Sequence, residues 1–320
     1  MKALITGAAG FVGANLVRHA LVQDLQVKAL LSRNGDTHNL LGLDVEIVRG
    51  DIRDRDAIAR AMRGCDTVFH LAALYSTDSE AARHMYDVNI NGTRIVMEEA
   101  LRADVHVAVH TSTIGTIGRP PDGDLPDETT EFNLWDTTTD YAKSKYLGEL
   151  AALEFCRRGL HVVVVHPCAP LGAYDFKPTA TGQRIVDYLN GTPPSFVEGG
   201  INFVAVHDVA AGHLLAAQRG RPGERYILGN TNLSLSEFLT LLEHVSGQQP
   251  PRAWRRNPLA RSLDILRSLK RTHTGRSRAL TCETSKAIME LGLPQTSLNV
   301  AVQEAVEWFR KNGYVTRERD

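Results

Sequence analysis

"KALITGAAGFVG" (2–13) joins an apolar run, a glycine-rich turn and the start of a helical pattern. Lys2 to Gly7 reads as a short strand. From Phe11 onward, Val12, Leu16, Val17, Ala20 and Leu21 recur at helical spacing. Gly7, Gly10 and Gly13 lie between the two elements. In such a turn one glycine makes the tight bend, one admits a pyrophosphate close to the backbone, and one lets helix pack on strand. The helix start adds unpaired N–H groups and the positive end of its dipole. The stretch therefore predicts a dinucleotide site, with Phe11 and Val12 at the phosphate end.

Outward from this turn the alternation continues. The pattern predicts strands over 26–32, 45–51, 66–73, 105–112 and 160–167, and helices over 55–64, 85–103 and from Tyr141. "LHVVVVHP" (160–167) is an unbroken β-branched run, as a parallel strand buried on both faces requires. Repeated strand–helix–strand order predicts an α/β fold, a doubly wound parallel sheet of Rossmann type. Beyond Pro167 the pattern loosens into loops at 167–182 and 191–200, with helices near 181–190, 207–219, 234–246, 258–270 and 297–312. The expected organisation is a dinucleotide-binding domain over 1–167, a return segment near 203–219, and a smaller, mainly substrate-binding cap over 168–320.

Bulk properties narrow the function classes. The 320 residues are 43% hydrophobic and 23% charged, ordinary for a globular chain. A net charge of −1 gives no electrostatic case for nucleic acid. Cys65, Cys156, Cys168 and Cys282 form no CxxC pair, and no histidine cluster has metal-ligand spacing, so no metal is expected. No signal pattern precedes "ALIT" and no run is long enough to span a membrane. The expectation is a cytoplasmic enzyme with reduced thiols.

In open α/β sheets the ligand lies beyond the carboxyl ends of the strands. Asp51 and Ile52 end the third predicted strand, where a carboxylate and an apolar side chain suit an adenine. Leu71, Ala72 and Ala73 in "HLAA" are small enough to let a cofactor approach the backbone. "TST" (111–113) supplies three hydroxyls, beginning with Thr111. The second strand ends "ALLSRNG", with Ser32 and Arg33 where an NAD site usually has an acid about 20 residues past the glycines. Both donate to a phosphate, and the nearest acid, Asp36, lies further along the loop. NADPH is therefore the expected cofactor, with NAD the alternative. Tyr141 and Lys145 in "YAKSK" share one helical face a turn apart. A cation held near a phenol favours the phenolate, which makes the pair a proton-transfer device.

"TGAAGFVG", "HLAA", "TST" and "YAKSK", in this order, resemble the extended short-chain dehydrogenase/reductase family. "NINGT" (89–93), "HPCAPLGAYDFKPTATG" (166–182), "FVAVHDVAAGHLLA" (203–216) and "GERYILGN" (223–230) resemble its dihydroflavonol-reductase-like branch. More closely, they resemble bacterial proteins labelled hopanoid-associated sugar epimerases. The resemblance implies Tyr141 as general acid/base, and Lys145 as the group that lowers its pKa and binds the nicotinamide ribose. Aligned on Gly118, the family's serine position falls on Thr113, with Ser112 the alternative. Asn89 is expected to brace the strand ends beside the cofactor. Pro167 and Ala169 are expected to cover the nicotinamide face, and Tyr75, Cys168, Tyr174 and Phe203 to line the substrate pocket. Related enzymes pair the helices near 85–103 and 141–158 into a homodimer, here through Ile95, Val96, Leu147, Leu150 and Leu153.

Three functions compete. A carbonyl reductase or alcohol dehydrogenase needs a proton donor opposite the reduced carbon, which Tyr141 supplies. A nucleotide-sugar epimerase needs groups for a second pyrophosphate, with Arg184, Lys177 and Asn202 the candidates. A non-catalytic dinucleotide sensor has no need of an intact Thr113, Tyr141 and Lys145. The reductase is the favoured reading. In "RRNPLARSLDILRSLKR" (255–271) Leu259, Leu263, Leu266 and Leu269 form one apolar stripe. It is expected to pack on the cap, with peripheral membrane contact as the alternative.

Overall fold

A computed structural model describes residues 1–76, 78, 80–251 and 279–316. The 255–271 stripe and the helix expected over 258–270 lie outside the described residues.

β1 (Lys2–Thr6) occupies the middle of a seven-stranded sheet. It pairs in parallel with β2 (Gln26–Leu31) on one side and, beyond α1 (Phe11–Val22) and α2 (Arg55–Met62) in the chain, with β4 (Thr67–His70) on the other. β3 (Glu46–Arg49) lies outside β2. β5 (Val107–Thr111), β6 (Val162–Pro167) and β9 (Arg225–Leu228) extend the other half, in the order β3-β2-β1-β4-β5-β6-β9 with every pair parallel. This is the doubly wound sheet the alternation predicts. β9 is an addition: "RYIL" is too short, between Gly223 and Gly229, to announce itself as a strand.

β6 shows why the sheet forms. Val163 and Val165 enter one core with α1 and α7 (Val206–Arg219), while Val162 and Val164 enter the other with α2 and α4 (Thr93–Arg102). All four are fully buried. A strand packed on both faces has no place for the polar alternation of a half-exposed one.

The helix expected over 85–103 begins earlier, as α3 (Ala82–Tyr86), and runs through a π-helical turn, Asp87–Gly92, into α4. Such turns insert one extra residue and often mark functional sites. α5 (Asp140–Leu153) packs against this turn and carries Tyr141 and Lys145. A Cβ on Gly148 would lie 2.4 Å from the Asn89 carbonyl oxygen, so only glycine permits this approach.

A second, three-stranded sheet holds β7 (Ala169–Leu171), β8 (Ile201–Ala205) and β10 (Thr231–Leu233) in the order β10-β8-β7. With α6 (Ala180–Leu189), α8 (Leu235–Ser246) and α9 (Leu298–Lys311) it encloses a third core. Phe203 stacks on Phe238 there at 4.6 Å. No helix among the described residues is long and apolar enough to cross a membrane.

Candidate active site

The glycine turn closes the carboxyl end of β1. Gly7 adopts φ +70°, and its amide plane lies where a Cβ on Gly13 would come within 2.2 Å of the Gly7 oxygen. Turn and helix are therefore pressed together, and α1 begins at Gly10 with no side chain capping its first N–H groups. Those donors suit a pyrophosphate. Two asparagines fasten the far loop onto this turn. Asn15 Nδ2 donates to the carbonyl oxygens of Phe11 and Ala173, and Asn39 Nδ2 to those of Ala9 and Tyr174.

The end of β4 is organised by a buried chain. The Ala72 N–H donates to Thr6 Oγ1, Thr6 pairs with His70 Nδ1 at 2.8 Å, and His70 Nε2 lies 3.0 Å from Thr93 Oγ1. Thr93 in turn gives its proton to the Asn89 carbonyl. That direction assigns His70 a proton on Nε2, and the ring stays neutral because burial pushes its pKa down to about 3. Asn89 spends its own side chain on the main chain of Leu74 and on Ser144 Oγ, 2.9 Å away; Ser144 donates to the Tyr141 carbonyl. Leu71 and Ala72 are half-buried and Ala73 exposed, so this strand end borders open space.

At the end of β5 the three hydroxyls of "TST" separate. Thr111 Oγ1 pairs with His213 Nε2 on α7 at 2.9 Å, while the other ring nitrogen, Nδ1, binds the Val209 carbonyl. Ser112 is buried and donates to Glu149 Oε2 at 2.7 Å. Thr113 is half-buried, and its Oγ1 accepts only a long bond, 3.3 Å, from the Gly115 N–H. Of the two alternatives for the serine position, the one facing away from Glu149 is Thr113.

α5 begins at Thr139, whose side chain accepts from the Ala142 N–H. One residue into the helix, the Tyr141 ring meets Tyr75 edge-on at 4.9 Å. Burial and then Tyr75 push its phenol up to about 12. Lys145 Nζ donates to the Thr111 carbonyl at 2.7 Å, and burial pulls its pKa down to about 8. The lowering of the phenol expected from Lys145 does not appear in this arrangement: desolvation dominates. Behind Lys145, the buried Glu149 also accepts from Thr116 and lies 3.1 Å from Arg225 Nε, as an ion pair whose angle is too bent for a hydrogen bond. It thereby ties the loop carrying Thr113 to the helix carrying Tyr141.

The end expected to take the adenosine is less closed. Ser32 and Arg33 are exposed, and Arg49 Nη1 fixes their loop by donating to the carbonyls of Ser32, Arg33 and Gly35. Arg33 lies 3.4 Å from Asp54, and Asp36 turns back to accept from the His38 N–H. Asp51 is engaged by Arg53, whose Nη2 lies 2.6 Å away and holds the carboxyl below its usual range. Ile52 is buried against Gly92.

Part of the expected substrate wall lies elsewhere. Phe203 has no accessible surface, because its ring completes the third core. Tyr174, at φ +74°, lies under the Arg18 guanidinium at 3.6 Å. Cys168 faces Cys282 and is buried. Pro167 ends β6 beside Leu228, and Ala169 stays half-buried at the head of β7. Tyr75, 63% exposed, is the member of the expected wall whose ring meets Tyr141. Asn15, Asn39, Ser144, Glu149 and His213 were not singled out from sequence. Only Glu149 had a local signal, one turn past Lys145 in "KYLGE".

In sequence, residues 3–229 match the NAD dependent epimerase/dehydratase family. The chain belongs to that family. It is 38% identical to a putative dihydroflavonol 4-reductase of Synechocystis, over 97% of this chain and 95% of the relative. It is 36% identical to sterol demethylase protein B of Methylococcus capsulatus, over 98% of this chain and the whole relative. Among solved structures, the dTDP-glucose 4,6-dehydratase DesIV of Streptomyces venezuelae, with NAD and TYD bound, is 27% identical, covers 98% of each chain and has a TM-score of 0.79. As a member of this family of extended short-chain dehydrogenases/reductases, the protein is a nicotinamide-dependent oxidoreductase. The pressed glycine turn and the uncapped start of α1 fit such a cofactor, which when bound supplies or accepts the hydride.

Proposed function

We propose that the protein reduces a small apolar carbonyl compound, or oxidises the corresponding secondary alcohol, using NADPH in preference to NADH. The observation that carries the choice over sugar-nucleotide epimerisation is the state of two of the three groups expected to take a second pyrophosphate. The third, Lys177, is exposed and offers a single cation. Arg184 is buried and gives Nε and Nη1 to the carbonyls of Ser195 and Ala180. Asn202 is fully buried between Asn232 and the Asn230 N–H. Committed donors of this kind lose bonds before they gain a ligand. The relatives named for a dihydroflavonol and a sterol support an apolar substrate.

Thr113 and Tyr141 hold the carbonyl oxygen, Tyr141 delivers the proton, and Lys145 holds the cofactor ribose. Gly7, Gly10 and Gly13 take the pyrophosphate. The 203–219 segment serves the cofactor domain and the second sheet with its helices forms the substrate cap. The enzyme works as a cytoplasmic homodimer.

Cofactor preference rests on Arg33. Its side chain is 75% exposed at the end of β2, and Asp36 is turned into its own bend. A guanidinium there meets a phosphate with charge-assisted bonds, while the carboxylate beside it, Asp54, is engaged by Arg33 and by the Ala57 N–H. Calorimetry should find NADPH at least ~10-fold tighter than NADH, about 1.4 kcal/mol, with the difference lost in Arg33→Ala. Equal affinities in the wild type would remove Arg33 from the site. A carbonyl panel with both cofactors, run beside a nucleotide-sugar epimerisation assay, decides the reaction. Epimerisation without net cofactor turnover overturns the reductase.

A further inference from the structure

Cys168 and Cys282 come from segments 114 residues apart, yet their sulfurs lie 3.4 Å from each other. Both are free thiols and both are buried. Neither is held loosely. The Cys168 N–H donates to the Leu228 carbonyl, as part of the sheet end beside the active site. The main chain of Cys282 is pinned at both N–H and carbonyl by the Asn232 side chain on β10. A Cβ on Gly229 would come within 2.7 Å of Cys168 Sγ, so a glycine there leaves room for the sulfur.

A guanidinium completes the cluster. Arg119 is buried and donates Nη1 to the carbonyls of Ile117 and Gly118 and Nη2 to that of Ala279. Among the described residues no ion pair includes it, and its Nε has no partner. The nearby carboxyl, Glu128, is pushed up toward its neutral form by burial and accepts from the Ile227 N–H. Burial raises the Cys168 thiol well above its ordinary value, Cys282 and Glu128 raise it further, and the Arg119 charge offsets a part of that rise. The resting form of the pair is therefore the thiol, and Arg119 is the cation within reach of both sulfurs when one of them gives up its proton.

We propose that Cys168 and Cys282 are a redox modification site that closes into a reversible disulfide under a hydroperoxide. One thiolate attacks the peroxide, the O–O bond breaks, and the leaving oxygen departs as water or an alcohol with one thiol proton. The sulfur is then a sulfenic acid, oxidised by two electrons. The second thiol attacks that sulfur, the S–O bond breaks, and a further water carries away the remaining proton. In sum, two thiols and one hydroperoxide give one disulfide, one alcohol or water, and one water. Closure brings the sulfurs from 3.4 Å to about 2.05 Å. The bond would staple the strand end Pro167–Ala169 to the segment that follows residue 279.

The full chain treated with hydrogen peroxide, denatured and alkylated, should lose two of its four alkylatable thiols. Peptide mapping should find one link, Cys168 to Cys282, removed by a phosphine reductant. Exposure alone names a different residue, because Cys156 is half-buried and the other three are buried. Cys282→Ser should retain a trappable sulfenic acid at Cys168 and no link. If Cys168 and Cys282 both remain fully alkylatable while Cys156 is consumed, the proposal is overturned. It is equally overturned if both are oxidised without being joined.

Discussion

Tyr141→Phe keeps the ring against Tyr75 and removes only the hydroxyl, so it isolates proton transfer from packing. Turnover on a confirmed carbonyl should fall by at least ~10²-fold, the usual loss when a general acid is deleted, while cofactor affinity stays unchanged. Near-normal turnover would dismiss the proton-donor role. The neighbouring lysine sets the pH limb. Reduction needs Tyr141 protonated, and a phenol pushed up to about 12 remains so across the working range. Lys145, pulled down to about 8, carries its charge at neutral pH and sheds it above. The rate kcat/KM for reduction should therefore fall as pH rises through about 8, since this parameter reports the free enzyme's groups. In Lys145→Arg, whose side chain stays charged, the limb should move beyond pH 10; an unmoved limb assigns it to another group.

At the level of elements, the site depends on how closely α5 approaches the π turn. Gly148→Ala places a methyl 2.4 Å from the Asn89 carbonyl oxygen, against backbone with no easy retreat. The variant should lose roughly 1–3 kcal/mol, the usual cost of overpacking, and thermal unfolding will read it. Turnover should fall too, because Asn89, Ser144 and Tyr141 are linked in series; an unchanged melting temperature would sink this account. The elements themselves were legible in sequence wherever burial leaves a period. "LHVVVVHP" announces β6 because both faces are packed, and the glycines announce the turn because backbone meets backbone there. Contacts without a local pattern were illegible. Asn15 and Asn39 reach partners 158 and 135 residues away, and nothing nearby marks them. Phe203 was misplaced for the same reason: an aromatic in a short apolar stretch reads alike whether it lines a pocket or, as in the middle of β8, fills a core.

At the scale of the whole molecule, the described residues offer a surface suited to a second copy. On the outer side of α4 and α5, a groove of about 670 Å³ is lined by Ile90, Arg94, Leu147, Leu150, Leu153 and Arg157 among others. Leu150 is 45% exposed at its edge, whereas Val96, expected from sequence to share this face, is buried in the second core. An apolar groove with Arg94, Glu154 and Arg157 in its lining carries both signs of charge, as a self-complementary two-fold contact requires. Tyr141 and Lys145 lie on the same helix, so a dimer through this face would also hold the helix that carries them. Light scattering at micromolar concentration should give twice the 35.2 kDa of one chain. Leu150→Glu puts a charge at the contact and should shift the mass to a single chain with little change in the fold, because the side chain is solvent-facing in the monomer. A wild-type mass of 35.2 kDa would overturn the dimer. A Leu150→Glu mass still twice that would move the interface to another face.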